Sequence, residues 1–200
     1  MAARSAKSPR RRAKQERAHA TLDAILEAAA RVLVREGYAG ATTNRIAEVA
    51  GVSVGTLYQY FAHKNDVFDA LIRRETVASQ RVLNAERPDP REALDVTLRR
   101  VFVGLAAVQP LGPDLYRQLE HVPNALLRRR ITEGKRHVLA FLHSLLQAHR
   151  AELRVDDLDL AALVILHATE GITMGASREL FGERLADELT TLFTRYLLKI

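Results

Sequence analysis

Apolar residues along this 200-residue chain recur at steps of three and four. No stretch alternates with the period of two that a half-buried strand requires, so the pattern predicts an all-α fold. A first helix over about 15–36 carries the stripe Leu22, Ile25, Leu26, Ala29, Val32 and Leu33, and Gly37 supplies its C-terminal stop. Two short helices follow, about 43–50 and from Ser53 to near Phe61, with Gly51 between them and Ser53 as the second one's cap. A longer helix over about 64–85 places Val67, Phe68, Leu71, Ile72 and Leu83 on one side.

Pro88-Asp89-Pro90 interrupts the helical pattern. Pro90 fits the first turn of a new helix bearing Leu94, Leu98, Val101, Phe102 and Leu105. Pro110, Gly112 and Pro113 break the chain again, ahead of a short helix near 114–121 and a long one over 124–149. Val155-Asp156-Asp157 reads as a turn with capping acids, and two last helices, about 158–178 and 183–198, divide near Gly182. The total is about nine helices.

Composition narrows the function classes. There is no cysteine, which excludes disulfides, thiol catalysis and Cys-ligated metal sites. No apolar h-region follows the basic N-terminus, and no uninterrupted apolar run reaches about 18 residues, so a soluble, cytoplasmic protein without a membrane span is expected. The net charge of +6 is unevenly placed. Residues 1–19 hold Arg4, Lys7, Arg10, Arg11, Arg12, Lys14 and Arg17 against Glu16, while the rest of the chain balances 23 basic with 23 acidic residues. A basic flexible arm over 1–19 suits a polyanion such as DNA phosphate, or serves as a solvated tail.

The most informative stretch runs from Thr42 to Lys64. Two short helices joined by a glycine-containing turn are the geometry of a helix-turn-helix, whose second helix enters the major groove. That second helix has no charged residue. Leu57 and Phe61, four apart, anchor it, leaving Val54, Gly55, Thr56, Tyr58, Gln59 and Tyr60 on the other face. Gly55 allows close backbone approach to DNA. Gln59 matches an adenine edge, and Thr56 and Val54 suit a base or a thymine methyl. Thr43 and Tyr58 can donate to phosphate, and Lys64 can add an ion pair there. Gly51-Val52-Ser53-Val54-Gly55 also matches the G-x-S-x-G nucleophile elbow of α/β-hydrolases, but that motif needs a preceding strand and a parallel sheet that this pattern lacks.

These residues closely resemble the DNA-binding domain of the tetracycline-repressor (TetR) family. The matching features are the Thr42-Thr43 start, Ile46-Ala47, the Ala50-Gly51-Val52-Ser53 turn, and Gly55-Thr56-Leu57-Tyr58 with Tyr60-Phe61, followed three residues later by Lys64. The close match covers roughly 20–71. His63 stands where the family more often carries a small or amide residue, which leaves the local cap open. The resemblance implies three parts: the arm 1–19, a three-helix DNA-binding domain 20–66, and a helical effector-binding and dimerisation domain 67–200. It implies DNA contacts from Thr43, Val54, Gly55, Thr56, Tyr58, Gln59, Tyr60 and Lys64. Asn44 and Arg45 join them at the N-terminus of the preceding helix, Arg45 equally well read as a solvated charge and Tyr60 as partly core.

The family's architecture further implies a homodimer on a pseudo-palindromic operator, its two recognition helices about 34–36 Å apart. Ala161, Ala162, Leu163, Ile165, Leu166, Ala168, Gly171 and Ala176, with Leu185, Leu189, Leu192, Phe193, Tyr196 and Leu197, would build a four-helix interface with the symmetry mates or fill the subunit's own core. A small, largely apolar or aromatic effector is expected in the C-terminal domain. Its candidate contacts are Phe102, Leu105, Gln109, Tyr116, His121, His137, Phe141, Thr169 and Met174, each open to a plain core role. No cofactor is expected. His167 and Glu170 lie one helical turn apart, a structural hydrogen bond or, less simply, a metal pair. The reading is a DNA-binding regulator, a repressor released by its effector and not an enzyme. The competing class is a helical small-molecule- or metal-binding protein or enzyme without sequence-specific DNA binding.

Overall fold

The computed structural model describes the backbone of residues 9–108, 112–177 and 179–199, with side chains except at 9–12, 112, 116 and 120. Nine helices occupy the described residues: α1 (Pro9–Gly40), α2 (Thr43–Ala50), α3 (Val54–Tyr60), α4 (Lys64–Ala85), α5 (Leu94–Ala107), α6 (Gly112–Glu120), α7 (Ala125–Ala148), α8 (Leu158–Gly175) and α9 (Glu183–Leu197). No strand forms among these residues; the one extended contact is an isolated antiparallel bridge between Leu153 and Leu198.

Three boundaries differ from the sequence expectation. α1 is already helical at Pro9, the first described residue, rather than starting near 15, so residues 9–19 of the expected arm are helical. Residues 1–8, with Arg4 and Lys7, lie outside the described residues. α5 begins at Leu94, not at Pro90. Asp89 folds the proline into a turn instead, its Oδ1 accepting from Arg91 N at 2.9 Å and its carbonyl from Glu92 N at 3.1 Å. α8 stops at Gly175, short of 178.

Contacts divide the chain into two units, Met1–Leu71 and Ile72–Ile200. In the first, α1 packs on α2 and α2 on α3 around Ile25, Leu33, Ile46, Leu57, Phe68 and Leu71, all without solvent exposure. Gly37, at φ 68° and ψ 177°, breaks α1 where the sequence places its stop. In the second, α5 packs along α9, and α8 packs on α7, α6 and α9. Its core joins Leu94, Leu98, Leu145, Leu146, Ile165, Phe193 and Leu197, with the rings of Phe102 and Phe193 tilted at a centroid distance of 5.9 Å.

Candidate nucleic-acid interface and ligand cavity

The helix-turn-helix is held by local hydrogen bonds that the sequence encodes residue by residue. Thr42 caps α2, its hydroxyl accepting from Arg45 N at 3.2 Å. Gly51 ends α2 in the left-handed region, at φ 68° and ψ 27°, where a side chain would be strained. The chain then turns tightly enough for Val52 N to reach Ala47 O at 3.0 Å. Ser53 caps α3, its Oγ accepting from Thr56 N at 3.0 Å. The Ser53 hydroxyl therefore works as a cap behind a helix, and the elbow reading lacks its strand. The cap left open by His63 is supplied by Asp66, whose carboxylate accepts the His63 N–H at 2.8 Å.

Leu57 is the one buried residue of α3, and Phe61 closes the helix with 8% exposure. The remaining face is open: Val54, Gly55, Tyr58 and Gln59 are exposed, Tyr58 at 52%, while Thr56 and Tyr60 are half-buried. Thr43 and Tyr58, predicted to act together on phosphate, are brought side by side across α2 and α3, Oγ1 to OH at 3.2 Å. Asn44 is exposed. Arg45 is not a free surface charge: it pairs with Glu36 at 2.7 Å and Glu48 at 2.9 Å, and these carboxylates raise its pKa further. Lys64 donates from Nζ to Tyr38 O at 2.9 Å and lies 4.0 Å above the Tyr38 ring centroid. Tyr38 in turn bonds through its hydroxyl to the Asn65 side chain. Lys64 thus clasps the start of α4 to the end of α1.

The second unit holds a partly open cavity of about 220 Å³. Phe102, Leu105, Phe141, Leu142, Ile165 and Met174 form part of its apolar wall, and Glu75, Ser79, Lys135, Thr169 and Glu170 add polar groups. Lys135 Nζ pairs with Glu170 at 3.1 Å, and His167 Nδ1 reaches the same carboxylate at 3.1 Å. The His167–Glu170 pair is therefore part of an ion-pair cluster, and no group of three or more His, Cys, Asp or Glu side chains could hold a metal among the described residues. Burial pushes the Glu75 carboxyl up in pKa, against the pull of Arg74.

Residues 25–71 match the pattern described as "Bacterial regulatory proteins, tetR family", and residues 93–197 match "Tetracyclin repressor-like, C-terminal domain". The chain belongs to the TetR family. Among similar proteins are the "Fatty acid metabolism regulator protein" of Bacillus subtilis, 27% identical over 82% of this chain and 75% of that protein, and the transcriptional repressor BepR of Brucella suis, 29% identical over 80% and 82%. A solved structure of the fatty acid degradation regulator FadR from Bacillus halodurans superposes with a TM-score of 0.69 at 26% identity, covering 86% of this chain and 96% of that one. This TetR-family chain is a DNA-binding transcriptional regulator.

The cavity of this TetR-family regulator takes in only some of the expected effector contacts. Phe102, Leu105, His137, Phe141, Thr169 and Met174 line it. His121 does not: it is exposed, and its Nδ1 turns to the Arg117 carbonyl one turn back on α6, at 2.7 Å. Gln109 lies outside the described residues, as does the side chain of Tyr116. Glu75, Ser79 and Lys135 escaped the sequence reading, although each interrupts an inward apolar row.

The expected dimer residues also separate. Ala161, Ala162, Ile165, Leu166, Leu189, Phe193 and Leu197 are buried in the subunit's own core. Of the expected set Leu163, Gly171 and Leu192 face outward, and Leu160, Val164 and Ile172, which the sequence reading left out, join them; the apolar side chains of this group are 37–55% exposed. α8 is apolar enough by length and composition to cross a membrane, with a mean hydropathy of 1.3, yet only 28% of it is buried within the chain.

Proposed function

We propose that this regulator is a repressor that binds a pseudo-palindromic operator as a homodimer and is released by a small, largely apolar effector held in the cavity of its second unit. The observation that carries the reading is α3, a capped, uncharged seven-residue helix anchored by Leu57 and by Phe61 at its end, with its other face open. Such a helix has no folding role for Val54, Tyr58 and Gln59, and their chemistry fits a major groove. Gly55 admits the backbone close to DNA, and Thr56 and Tyr60 flank the contact. Thr43, Asn44 and Tyr58 sit where they can hydrogen-bond phosphate, while Arg45 and Lys64 would have to share their existing partners with it.

A homodimer is supported by the outward apolar face of α8 and α9. Leu160, Val164 and His167, then Gly171 and Gly175, follow at steps of three and four with Leu163 beside them, and a Cβ at either glycine would meet nothing within 4 Å. A partner helix can approach closely there. We read the apolar surplus of α8 as this interface and the protein as cytoplasmic rather than membrane-bound. Release follows if the effector binds one arrangement of the dimer better than the other, which shifts the population away from the DNA-competent one. No role as an enzyme is assigned.

The test is operator selection from a random DNA pool, followed by fluorescence anisotropy on the selected and scrambled duplexes. A strong preference for a two-fold-symmetric sequence, abolished or relaxed in Gln59→Ala and Tyr58→Ala, is expected. Equal binding to scrambled DNA would refute the reading, and retained wild-type preference in both variants would refute the assignment to α3.

A further inference from the structure

We propose that the cavity selects an apolar or aromatic molecule carrying a single positive charge, with its cationic end on Glu75. This deepens the reading of the cavity as the effector site and rests on it.

The charges around the cavity are unequally matched. Among its described lining residues, Lys135 carries the one permanent positive charge, and Lys135 is closed onto Glu170 at 3.1 Å. Glu75 is the second carboxylate of the lining, and no cation of the lining pairs with it. Its side chain is 13% exposed, and its partner is the neighbouring Arg74. Arg74 donates twice, from Nε at 3.3 Å and Nη2 at 3.2 Å, but both bonds fall on Oε1. Oε2 receives neither. A carboxylate held from one side only, in a mostly apolar surround, is short of the solvation it had in water. Burial raises its pKa for the same reason, against the pull of Arg74.

A bound cation repairs that deficit, while a bound anion worsens it. A free carboxylate would meet Glu75 and find Lys135 already paired, so it would have to share that cation with Glu170. A neutral molecule can offer Oε2 at most a hydrogen bond and leaves its charge uncompensated. A second polar group points the same way: Thr169 Oγ1 lines the cavity, is buried and has no hydrogen-bond partner, so it can accept an N–H. The rings of Phe102 and Phe141 complete a wall that favours an apolar body behind the charged end.

The experiment compares decylammonium, decanol and decanoate, one chain length with three charges, by calorimetry on the full-length protein. Operator release is followed in parallel by anisotropy. Decylammonium should bind about tenfold more tightly than decanol, and decanoate most weakly. Glu75→Gln should remove the advantage of the cation and leave decanol unchanged, while Thr169→Val should weaken decylammonium by a smaller factor. The proposal is overturned if decanoate binds as well as decylammonium, if no member of the series binds, or if Glu75→Gln lowers all three alike. The effector reading has a separate outcome. If decanol or decanoate releases the operator without any cation preference, that reading stands and the charge selection falls. If decylammonium binds through Glu75 and leaves operator affinity unchanged, the charge selection stands and the effector reading falls.

Discussion

Replacing Leu57 by alanine tests the DNA-reading assignment through the fold rather than through a contact. α3 is seven residues long, far below the roughly 12–15 residues at which isolated helices become marginally stable in water, so it persists only while docked. Its docking rests on Leu57, which has no exposed surface, on Phe61 at 8%, and on the Ser53 cap. Burying a leucine is worth about 1.5–3 kcal/mol and a cap about 1 kcal/mol, so the helix is held by only a few kcal/mol. Leu57→Ala in a closed core costs about 2–5 kcal/mol. A loss of about 4 kcal/mol, inside that range, shifts the docked-to-undocked ratio about 900-fold, enough to exceed a margin of about 3 kcal/mol and leave α3 mostly undocked. Operator affinity scales with the fraction of docked α3, and a dimer uses two copies, so a fall of about ten- to hundredfold is expected. Leu57→Met, which conserves volume, should cost under about 1.5 kcal/mol and keep near-normal binding. Hydrogen exchange over residues 54–61, read with anisotropy on the operator, checks both halves. Retained protection and affinity within about threefold of wild type in Leu57→Ala would refute the anchoring argument. Lost protection with undiminished operator binding would refute α3 as the reading element.

Other expectations follow from the same geometry. Tyr58→Phe removes an exposed hydroxyl whose contact with Thr43 contributes little to stability, so the melting temperature should stay put. Operator affinity should fall about tenfold if the hydroxyl donates to a phosphate oxygen. Leu163→Glu should convert the dimer to monomer on size-exclusion chromatography and weaken operator binding, with far-UV circular dichroism unchanged. Glu92 is held at about 2, well below the usual carboxylate range, by hydrogen bonds from Arg100 and Thr97. Because its folded pKa is depressed, its stabilising contribution is present above the ordinary carboxylate value and is lost as pH falls through about 2. Glu92→Gln should therefore melt below wild type near neutrality and converge with it in acid; a constant difference across that range would exclude the ion pair as the cause.

The elements whose ends carry their own chemistry were legible in the sequence. Gly37, Gly51, Ser53, Asn124 and Asp157 each stop or cap a helix through bonds spanning at most a few residues. Asn124 Oδ1, for instance, accepts from Leu126 N at 2.9 Å and Leu127 N at 3.2 Å. Pro90 misled because proline suits both the first turn of a helix and a β-turn, and the deciding acceptor is the preceding Asp89. The recognition surface was legible for the same reason as the caps. Its anchor and its open face lie within one short helix, and their relation follows from helical geometry alone. What sequence could not supply there was the partner of each charge. Arg45 finds Glu36, and Lys64 finds the Tyr38 carbonyl 26 residues away.

The cavity shows where such local reasoning stops and how far it extends. Along α4 the inward row runs Phe68, Leu71, Ile72, then Glu75, Ser79 and Leu83. Two polar side chains thus occupy positions whose period assigns them to the core. α7 repeats the feature, with Lys135 between Ile131 and Val138, and α8 places Thr169 and Thr173 after Ile165 and Leu166. One polar residue on an apolar row is ordinarily a satisfied core group. Three helices interrupted around one space would expose several polar groups to one another with too little side-chain volume between them, and tight packing does not tolerate that. The arrangement persists because the space is a cavity of about 220 Å³ rather than a packed core. The interruption on each helix is visible in the sequence. Their meeting around one space depends on how α4, α7 and α8 pack, and that is the step at which Glu75 changes from an oddity in a helical stripe to the charge that a ligand must answer.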